Sequence, residues 1–409
     1  MVLTAKPFQR AKLSVISGPV RSGKTEEIEV YLDSLVDSGF KTGNNVLVVR
    51  HPDDDIDPGH IGRHEVTVTD DVDEIYSRIS PKTSTLIVVG GAHFEDSSLI
   101  DLLDASVRSN INTVVSGLNL DINGKPYRLM PRLMALADEV QLSKAICSKA
   151  TCHDSEANRS IKISSSTKQN RTYLPICAHH YNFPSSPPIS QANGGNLEIV
   201  TGPMYSSKST HLLRKLAKLS EAGLDTAVFK WSGDLRYGEE EKKAYDQGNI
   251  TLHNGKRVPA VLVNSVEDIK NYLLEREEIR NIALDEGQFF PNVTYFCEEM
   301  LSKGYKITVT ELARGFNRQP FLEAPALMCL ADSIRIAYAN CGVCHSPATE
   351  SQRMKKIGDK VVAAHINDPL TAVGGKDTGK VSYFYTPRCL DHWVLMGEKV
   401  NKYRLPKLR

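Results

Sequence analysis

Two stretches of the 409-residue chain have the spacing of a phosphate-binding loop. In the later stretch, Gly202, Lys208 and Ser209 fit the pattern G-x-x-x-x-G-K-[ST], with Ser207 in place of the second glycine. Such a loop binds phosphate oxygens with converging backbone N–H groups, a helix N-terminus and a lysine. The earlier stretch, which contains Lys24, has the full pattern. Both follow an apolar run and a Ser/Thr-Gly-Pro sequence, which suggests an internal duplication.

An acidic pair later in the chain has the chemistry of a metal ligand and a general base. Asp285 and Glu286 directly follow the apolar run NIAL, so we expect them at the end of a buried strand. A magnesium–nucleotide site needs a carboxylate near the ion, and phosphoryl transfer to a hydroxyl needs a group that accepts its proton. Asp285 fits the first role and Glu286 the second. A solvated pair at a strand end is the alternative, and the phosphate loop upstream makes it the weaker one.

The spacing of cysteines and histidines predicts metal binding. Eight cysteines in a chain of this length, with no secretory signal, do not suggest a disulfide scaffold. Two short pairs of such residues joined by a loop are typical of a closed tetrahedral zinc site, which is structural and not catalytic. The second half of the chain contains one set, and the first half contains a weaker one with a wider first gap. The set in the second half is Cys341, Cys344, Cys389 and His392. The set in the first half is Cys147, Cys152, Cys177 and His180.

Composition and charge argue against several classes of protein. Lys and Arg number 50 against 49 Asp and Glu, a formal net charge of +1. Without a basic excess we expect no nucleic acid as a partner. No apolar run has membrane-spanning length, and the N-terminus lacks the apolar core of a secretory signal. We therefore expect no membrane partner and a cytoplasmic location.

Both halves show apolar strands alternating with helical patterns in the same order. This order predicts α/β domains with mostly parallel sheets and helices on both faces, with each phosphate loop at the carboxyl ends of the strands. The predicted domains are residues 1–183 and 197–409, and the Pro/Ser/Gly-rich segment 184–196 is the predicted linker. The segment VGGKDTGKVSYFYTPRC has the composition of a loop that closes over a ligand, and also that of an ordinary surface loop.

The second half resembles the type II (cytosolic-type) thymidine kinases over residues 197–393. The motifs that carry the likeness are GPMYSSKST, FKWSGDLRYG, DEGQFF, FNRQPF, CGVC, VGGKD and YTPRCLDH. The resemblance implies transfer of the γ-phosphate of ATP to the 5′-hydroxyl of thymidine, with deoxyuridine as a weaker substrate. It also implies a RecA-like P-loop domain with Mg²⁺ at the phosphates, and a small zinc-ribbon subdomain with a lasso loop that covers the nucleoside.

The resemblance further implies roles for individual residues. Catalysis would use Glu286, Asp285, Lys208 and Arg236. ATP and Mg²⁺ would contact Gly202, Pro203, Met204, Tyr205, Ser206, Ser207, Lys208, Ser209, Thr210, Asp234 and Asp285. The nucleoside would contact Met204, Phe289, Leu312, Phe316, Phe321, Ser351 and Tyr385, with Phe316 and Phe321 against the thymine ring.

The second half departs from the family pattern at two places. Ser207 replaces a glycine of the phosphate loop, where a Cβ atom would crowd the phosphates. The run ELARGF replaces an LDGTF-like run, so Ala313 and Arg314 break that motif. Either change would lower activity or alter the substrate preference.

The first half resembles the same family over residues 13–181, through GLNLDINGKPY, ADEV, AICSK and YLPICAHH. Its phosphate loop is complete, but VVGGAHF stands where DEGQFF is expected, so that Gly90 and Gly91 take the places of the two acids. The family's Asp-x-Arg motif, which the second half has as Asp234 and Arg236, is also missing, because the matching region of the first half reads RHPDDD. We therefore interpret the first half as a degenerate kinase domain with a structural or regulatory role.

Other functions and partners remain open at the sequence level. One alternative is a nucleotide-binding regulator in which neither half turns over, and another is an ATPase whose zinc ribbons bind nucleic acid. The near-zero net charge counts against the second alternative. The family forms tetramers of single domains, so a homodimer of this chain that mimics a tetramer is an expectation. Feedback inhibition by thymidine triphosphate is another.

Overall fold

A computed structural model of the chain describes residues 10–54, 61, 63–149, 152, 156–163, 172–182, 194–232, 249–251, 257–371, 381–398 and 400–405. The chain forms two compact units, which we call the first and the second unit. The first comprises residues 1–192 and 400–409, and the second comprises residues 193–399. The C-terminal segment thus belongs to the first unit, whereas the sequence analysis placed it in the second domain.

The first unit contains a six-stranded, all-parallel sheet with the order β3-β2-β4-β5-β1-β6. Its strands are β1 Leu13–Ser17, β2 Val46–Arg50, β3 Val66–Val68, β4 Thr85–Val89, β5 Asn112–Gly117 and β6 Glu139–Leu142. The helices between them are α1 Lys24–Asp37, α2 Val72–Arg78, α3 Ser98–Arg108 and α4 Met130–Leu136. Every residue of β1 and β4 is buried, as expected of central parallel strands that are covered on both faces.

A smaller subdomain of the first unit follows this sheet. It consists of two antiparallel strand pairs and a short helix. These elements are β7 Ala145–Ile146, β8 Glu156–Ala157, β9 Arg159–Ile163, β10 Thr172–Ile176 and α5 Ala178–Asn182.

The second unit repeats the arrangement with a parallel sheet of order β15-β12-β16-β17-β11-β18. Its strands are β11 Asn196–Thr201, β12 Thr226–Trp231, β15 Val261–Val263, β16 Asn281–Asp285, β17 Lys306–Glu311 and β18 Ser333–Ile336. A separate hairpin comprises β13 Asn249–Thr251 and β14 Arg257–Pro259. The helices are α6 Lys208–Glu221, α7 Val266–Leu274, α8 Val293–Ser302 and α9 Ala324–Leu330.

The subdomain of the second unit contains a two-stranded and a three-stranded antiparallel sheet. Its strands are β19 Ala339–Asn340, β20 Pro347–Ala348, β21 Glu350–Ile357, β22 Lys360–Ala363 and β23 Val381–Arg388. The α/β fold with parallel sheets and a Cys/His-bearing subdomain in each half is therefore confirmed.

Strand pairing matches the two units residue by residue. Ser17 pairs with Gly117 in the first sheet, and Thr201 pairs with Glu311 in the second. In both cases the hydroxyl donates to the carbonyl of its partner, over 3.1 Å and 3.3 Å. The shared order and pairing support an internal duplication.

Local sequence signals explain where several helices begin. The Asp71 side chain accepts hydrogen bonds from the N–H groups of Asp73 and Glu74 at the start of α2. A capping box of Ser265 and Asp268 starts α7. No helix among the described residues combines the length and hydrophobicity that a membrane span requires.

Candidate active site

The phosphate loop of the second unit connects β11 to α6 and is closed by its lysine. Lys208 is the first residue of α6 and only 9% exposed. Its Nζ atom donates to the carbonyl oxygens of Gly202, over 3.1 Å, and of Pro203, over 2.8 Å. The hydroxyl of Ser206 also donates to the Pro203 carbonyl. A cation thus lies over the N-terminus of a helix, where phosphate oxygens are favoured.

Ser207 has a conformational role that the pattern alone did not show. It precedes α6 in the left-handed region, with φ of 63°. The matching residue of the first unit, Gly23, has φ of 80° and precedes α1. Serine in this region has a cost of about 1 kcal/mol that glycine avoids. The departure from the pattern therefore places backbone strain beside the predicted phosphate site.

Asp285 and Glu286 lie where the sequence predicted, at the carboxyl end of β16. Asp285 is the last strand residue and is buried. The Thr310 hydroxyl on the neighbouring strand donates to Asp285 Oδ1 over 2.5 Å and accepts the Glu286 backbone N–H over 3.3 Å. Glu286 Oε2 accepts a hydrogen bond of 2.6 Å from the Gln288 side chain. Both carboxylates thus accept hydrogen bonds from neutral donors that fix their orientation.

Glu286 also has a strained backbone, with φ of 56°. A non-glycine residue in this region costs of the order of 1 kcal/mol, and such outliers concentrate at functional sites. The turn after Glu286 is a short 3-10 helix over Gly287–Phe289. A Cβ atom at Gly287 would lie 2.2 Å from Val309 Cγ1, so only glycine fits beneath the strained residue.

Several residues predicted to contact the nucleoside converge near this strand edge. The Ser351 hydroxyl accepts the backbone N–H of Met204 over 3.0 Å, which joins β21 to the phosphate loop. The ring centroids of Phe289 and Phe321 lie 5.8 Å apart in an edge-to-face arrangement. The backbone N–H of Leu312 donates to the Gln288 side chain.

Phe316 and Tyr385 belong to a neighbouring hydrophobic cluster. Phe316 is buried there with Ala364, Trp393 and Leu395, and the partly buried Tyr385 packs against them. The Trp393 indole N–H donates to the Phe316 carbonyl over 3.1 Å. The structure therefore separates the predicted nucleoside residues into a group at the strand edge and a group at the subdomain.

Some predicted residues cannot be placed. Asp234 and Arg236 lie outside the described residues, as does the VGGKD segment at 373–377. The predicted linker is described only from residue 194 onwards. Ser209 and Thr210, the last two predicted phosphate-loop residues, are the second and third residues of α6.

Sequence reasoning missed three residues of this site. The Trp231 ring stacks on Phe289 with centroids 5.2 Å apart. Gln288 and Thr310 orient the two acids through the hydrogen bonds described above. The position of Trp231 at the end of a strand was a usable signal, because strand ends meet at this edge. Gln288 and Thr310 had no such signal.

The ligand set of the second unit has the geometry of a zinc site. The ligand atoms of Cys341, Cys344, Cys389 and His392 all lie within 4.8 Å of one another. The Cys344 and Cys389 sulfur atoms are 3.7 Å apart, and His392 Nδ1 is 3.2 Å from Cys389 Sγ and 3.8 Å from Cys341 Sγ. Tetrahedral zinc with Zn–S bonds of about 2.3 Å requires sulfur atoms about 3.8 Å apart. The four residues therefore fit this ion.

The protein environment prepares one of these thiols for metal binding. Burial acts to raise the pKa of Cys341, but the backbone N–H groups of Cys344, Cys389 and Val343 outweigh it and lower the pKa to about 6. Burial raises the pKa of the Cys389 thiol to about 11. A bound zinc ion would deprotonate both.

The first unit has a matching ligand set. Cys147, Cys152, Cys177 and His180 are all buried and also lie within 4.8 Å of one another. The Cys152 and Cys177 sulfur atoms are 3.7 Å apart, and Cys177 Sγ is 3.2 Å from His180 Nδ1. Burial raises the pKa of the Cys177 thiol to about 12. The wider first gap in the sequence therefore does not prevent a tetrahedral arrangement.

The first unit lacks both acids. The residues that stand in their places lie one position earlier in the sequence than we expected. Strand pairing at the ends of β4 and β16 matches Val89 with Asp285, and hence Gly90 with Glu286. The assignment of Gly90 and Gly91 to these places was therefore wrong by one position. Gly90 has φ of 71°, so the turn keeps the backbone conformation of Glu286 without its side chain.

A carboxylate nevertheless lies beside Gly90. A Cβ atom on Gly90 would be 2.4 Å from Asp54 Oδ2, so Asp54 fills the space next to the missing acid. Asp54 also has the sequence position of the aspartate in Asp-x-Arg, so Ile56 stands in place of the arginine. Burial lowers the pKa of Lys24 to about 8, while the charges of Asp54, Glu26 and Glu27 act against this shift.

Comparison with known families agrees with this arrangement. A family model described as thymidine kinase matches the chain over two segments, residues 11–181 and residues 195–393. The two matches cover most of the chain, and each contains one phosphate loop and one Cys/His set.

Proposed function

Because the chain belongs to the thymidine kinase family, we propose that its second unit transfers the γ-phosphate of ATP to the 5′-hydroxyl of thymidine, and more weakly to that of deoxyuridine. The observation that carries this proposal is the combination of two oriented acids and a phosphate loop at the carboxyl ends of strands of one parallel sheet. Lys208 lies at the N-terminus of α6, the helix that follows strand β11. Asp285 and Glu286 lie at the end of β16, which belongs to the same sheet as β11.

Each residue of the proposed site has a separate role in the reaction. Glu286, oriented by Gln288, accepts the proton of the attacking hydroxyl. Lys208 exchanges its loop carbonyls for phosphate oxygens and balances their charge. Asp285 and the Ser209 hydroxyl would hold Mg²⁺, which supplies further neutralisation of the phosphates when bound. Arg236 and Asp234 are proposed to act beside them.

The aromatic residues around this edge suit a pyrimidine ring. Phe289, Trp231 and Phe321 provide flat, largely apolar walls next to the acids. Because a base bound there would have its sugar close to Glu286, the arrangement favours a nucleoside over a larger acceptor.

We propose that the first unit does not transfer phosphate. It keeps a complete loop with Lys24, but Val89 and Gly90 replace the metal ligand and the base. Loss of a general base alone removes about 10²- to 10⁴-fold of rate. A structural or nucleotide-binding role is therefore favoured for this unit. If neither unit turned over, the whole chain would be a nucleotide-binding regulator.

The experiment that tests the proposal compares the full chain with its Glu286→Gln variant. The wild-type chain with ATP, Mg²⁺ and thymidine is expected to form thymidine monophosphate. Glu286→Gln is expected to lower kcat by about 10²- to 10⁴-fold and to keep ATP binding, because the amide has the same shape but accepts no proton. Glu275→Gln, at the 79% exposed carboxylate after α7, is the matched control.

Two results would contradict the proposal. Nucleotide binding without any thymidine monophosphate from the wild-type chain would favour the regulator. Substantial activity in Glu286→Gln would instead remove this residue from the role of general base.

A further inference from the structure

A buried ion pair lies between the hairpin that carries the predicted base-stacking rings and strand β21. Arg314 Nη2 is 3.1 Å from Glu350 Oε1, and the side chains are 7% and 2% exposed. Arg318 Nε approaches the other carboxylate oxygen at 3.3 Å, from a side chain that is 10% exposed. Arg314 also donates to the Thr349 carbonyl over 3.2 Å. Such a buried pair is costly unless its geometry is well satisfied.

The ion pair connects two parts of the proposed site. Arg314 and Arg318 lie on a tight hairpin, in which Arg314 bridges to Pro320. The same hairpin carries Phe316 and leads to Phe321. Glu350 directly precedes Ser351, whose hydroxyl accepts the N–H of Met204 in the phosphate loop. A shift of Glu350 would therefore move both the hairpin and the contact with the loop.

A second contact fastens the same two elements. The guanidinium carbon of Arg353, on β21, lies 3.5 Å from the centroid of the Phe316 ring. Arg353 is fully buried, and a cation this close to an aromatic face is attracted by the ring. The position of Phe316 thus depends on β21 through an aromatic contact as well as through the backbone that it shares with Arg314.

The first unit shows that the fold does not require this ion pair. Its Ser160 accepts the N–H of Val20 over 3.1 Å, as Ser351 does for the loop of the second unit. The residue before Ser160 is Arg159, where the second unit has Glu350. Leu120 is the residue that matches Arg314, and it forms the equivalent backbone bridge, to Pro126. The unit without the catalytic acids therefore lacks the ion pair, although it keeps the contact between serine and loop.

From these observations we propose that Arg314 and Glu350 are positioning residues for nucleoside binding in the second unit. The pair holds the hairpin 313–321 against β21 and so sets the distance of the base-stacking rings from the phosphate loop. The inference rests on the proposed thymidine kinase activity. It also gives the departure at Arg314 a function, where the sequence alone indicated a loss or change of activity.

The test measures KM for thymidine and for ATP separately in the full chain. Arg314→Met and Glu350→Gln are expected to raise the thymidine KM at least about tenfold, because small displacements of positioning groups have effects of this size or larger. The ATP KM is expected to change by less than about twofold. The double variant is expected to be no worse than the more affected single variant, since the two residues act through each other.

Lys355→Met is the matched control. Lys355 lies on the same strand as Glu350 and forms an ion pair of 2.8 Å with Asp368, with side chains that are 16% and 14% exposed. Its hydrogen bond and its ion pair are both with Asp368 and not with the hairpin, so its loss is expected to leave the thymidine KM unchanged. Zinc content and thermal unfolding are measured for every variant.

The outcomes separate this inference from the proposed function. An inactive wild-type chain would overturn the proposed function itself. An active wild type with an unchanged thymidine KM in Arg314→Met would overturn only the positioning role, as would equal increases in both KM values. If Arg314→Met does not fold, Arg314→Lys takes its place in the test. It keeps the charge but loses the planar guanidinium that donates to the Thr349 carbonyl. The proposal then requires a raised thymidine KM in that variant, and an unchanged value overturns it.

Discussion

Two residues near the predicted site of the second unit have strained backbones, whereas the matching residues of the first unit are glycines. Glu286 and Ser207 adopt left-handed conformations, with φ of 56° and 63°. The matching residues Gly90 and Gly23 are glycines with the same sign of φ. The backbone path is therefore common to both units, and glycine makes it inexpensive in the first. At Glu286 the strain accompanies the proposed base, so a functional carboxylate explains why glycine is absent there.

The half-buried lysine of the first loop, Lys24, leads to a prediction about pH. Burial lowers the pKa of Lys24 from 10.5 to about 8. Below pH 8 the lysine is protonated in both the folded and the unfolded chain, and the folded state bears the cost of a partly desolvated charge. Between about pH 8 and 10.5 the unfolded chain binds more protons, so this contribution to stability increases with pH. Lys24→Met should lose that increase.

Chemical unfolding of the first unit at several pH values checks this prediction. The free energy of unfolding of the wild type is expected to rise relative to Lys24→Met between pH 8 and pH 10.5, and to level off above that range. Lys82→Met, at an exposed lysine of the same unit, serves as the control. A constant difference between wild type and Lys24→Met across this range would show that Lys24 is not buried as a cation.

At the scale of the elements, signals that are local in sequence predicted most of the fold. The strand ends, both phosphate loops and both Cys/His sets depend on spacings of a few residues. The fold class followed from the alternation of strands and helices. The acids at Asp285 and Glu286 were placed correctly for the same reason, because a buried run that ends in a carboxylate marks a strand end.

Contacts between distant elements were not predictable in this way. A Cβ atom on Gly117 would lie 2.6 Å from Ala92 Cβ and 2.8 Å from the Ala92 backbone nitrogen, so the first unit requires glycine there. The matching strand residue in the second unit is Glu311, because Ser17 pairs with Gly117 as Thr201 pairs with Glu311. Glu311 is fully buried, and this burial raises its pKa well above the usual value. Only the packed structure relates these positions.

The two subdomains with Cys/His sets permit a matched comparison. Cys389→Ser and Cys177→Ser each remove one ligand from an equivalent position. Metal analysis of the wild type is expected to find about two zinc ions per chain, and each variant is expected to lose one. Only Cys389→Ser is expected to impair thymidine phosphorylation, because β21 and β23 of that subdomain carry Ser351 and Tyr385. Equal activity of both variants would show that the second zinc site does not support nucleoside binding.

At the scale of the whole molecule, the segment that follows the second unit in the sequence belongs to the first unit. Residues 400–409 belong to the first unit, and the Tyr403 side chain is 3% exposed there. Its hydroxyl donates to Asp73 Oδ1 over 2.9 Å and lies 3.2 Å from the Ser98 hydroxyl. Its ring lies 5.0 Å from that of Tyr76. The segment thus packs against α2 and α3, which lie far earlier in the sequence, at Val72–Arg78 and Ser98–Arg108.

Removal of residues 400–409 should therefore affect the first unit and not the proposed active site. Deletion of this segment, or Tyr403→Ala, is expected to destabilise the first unit by about 2–4 kcal/mol, since an aromatic side chain leaves a packed position. Hydrogen exchange is expected to increase in α2 and α3, while thymidine kinase activity is retained. Val400→Ala, at a 76% exposed side chain, is the control. Unchanged exchange in these helices would show that the segment adds nothing to the first unit, whereas loss of activity would make it part of the second.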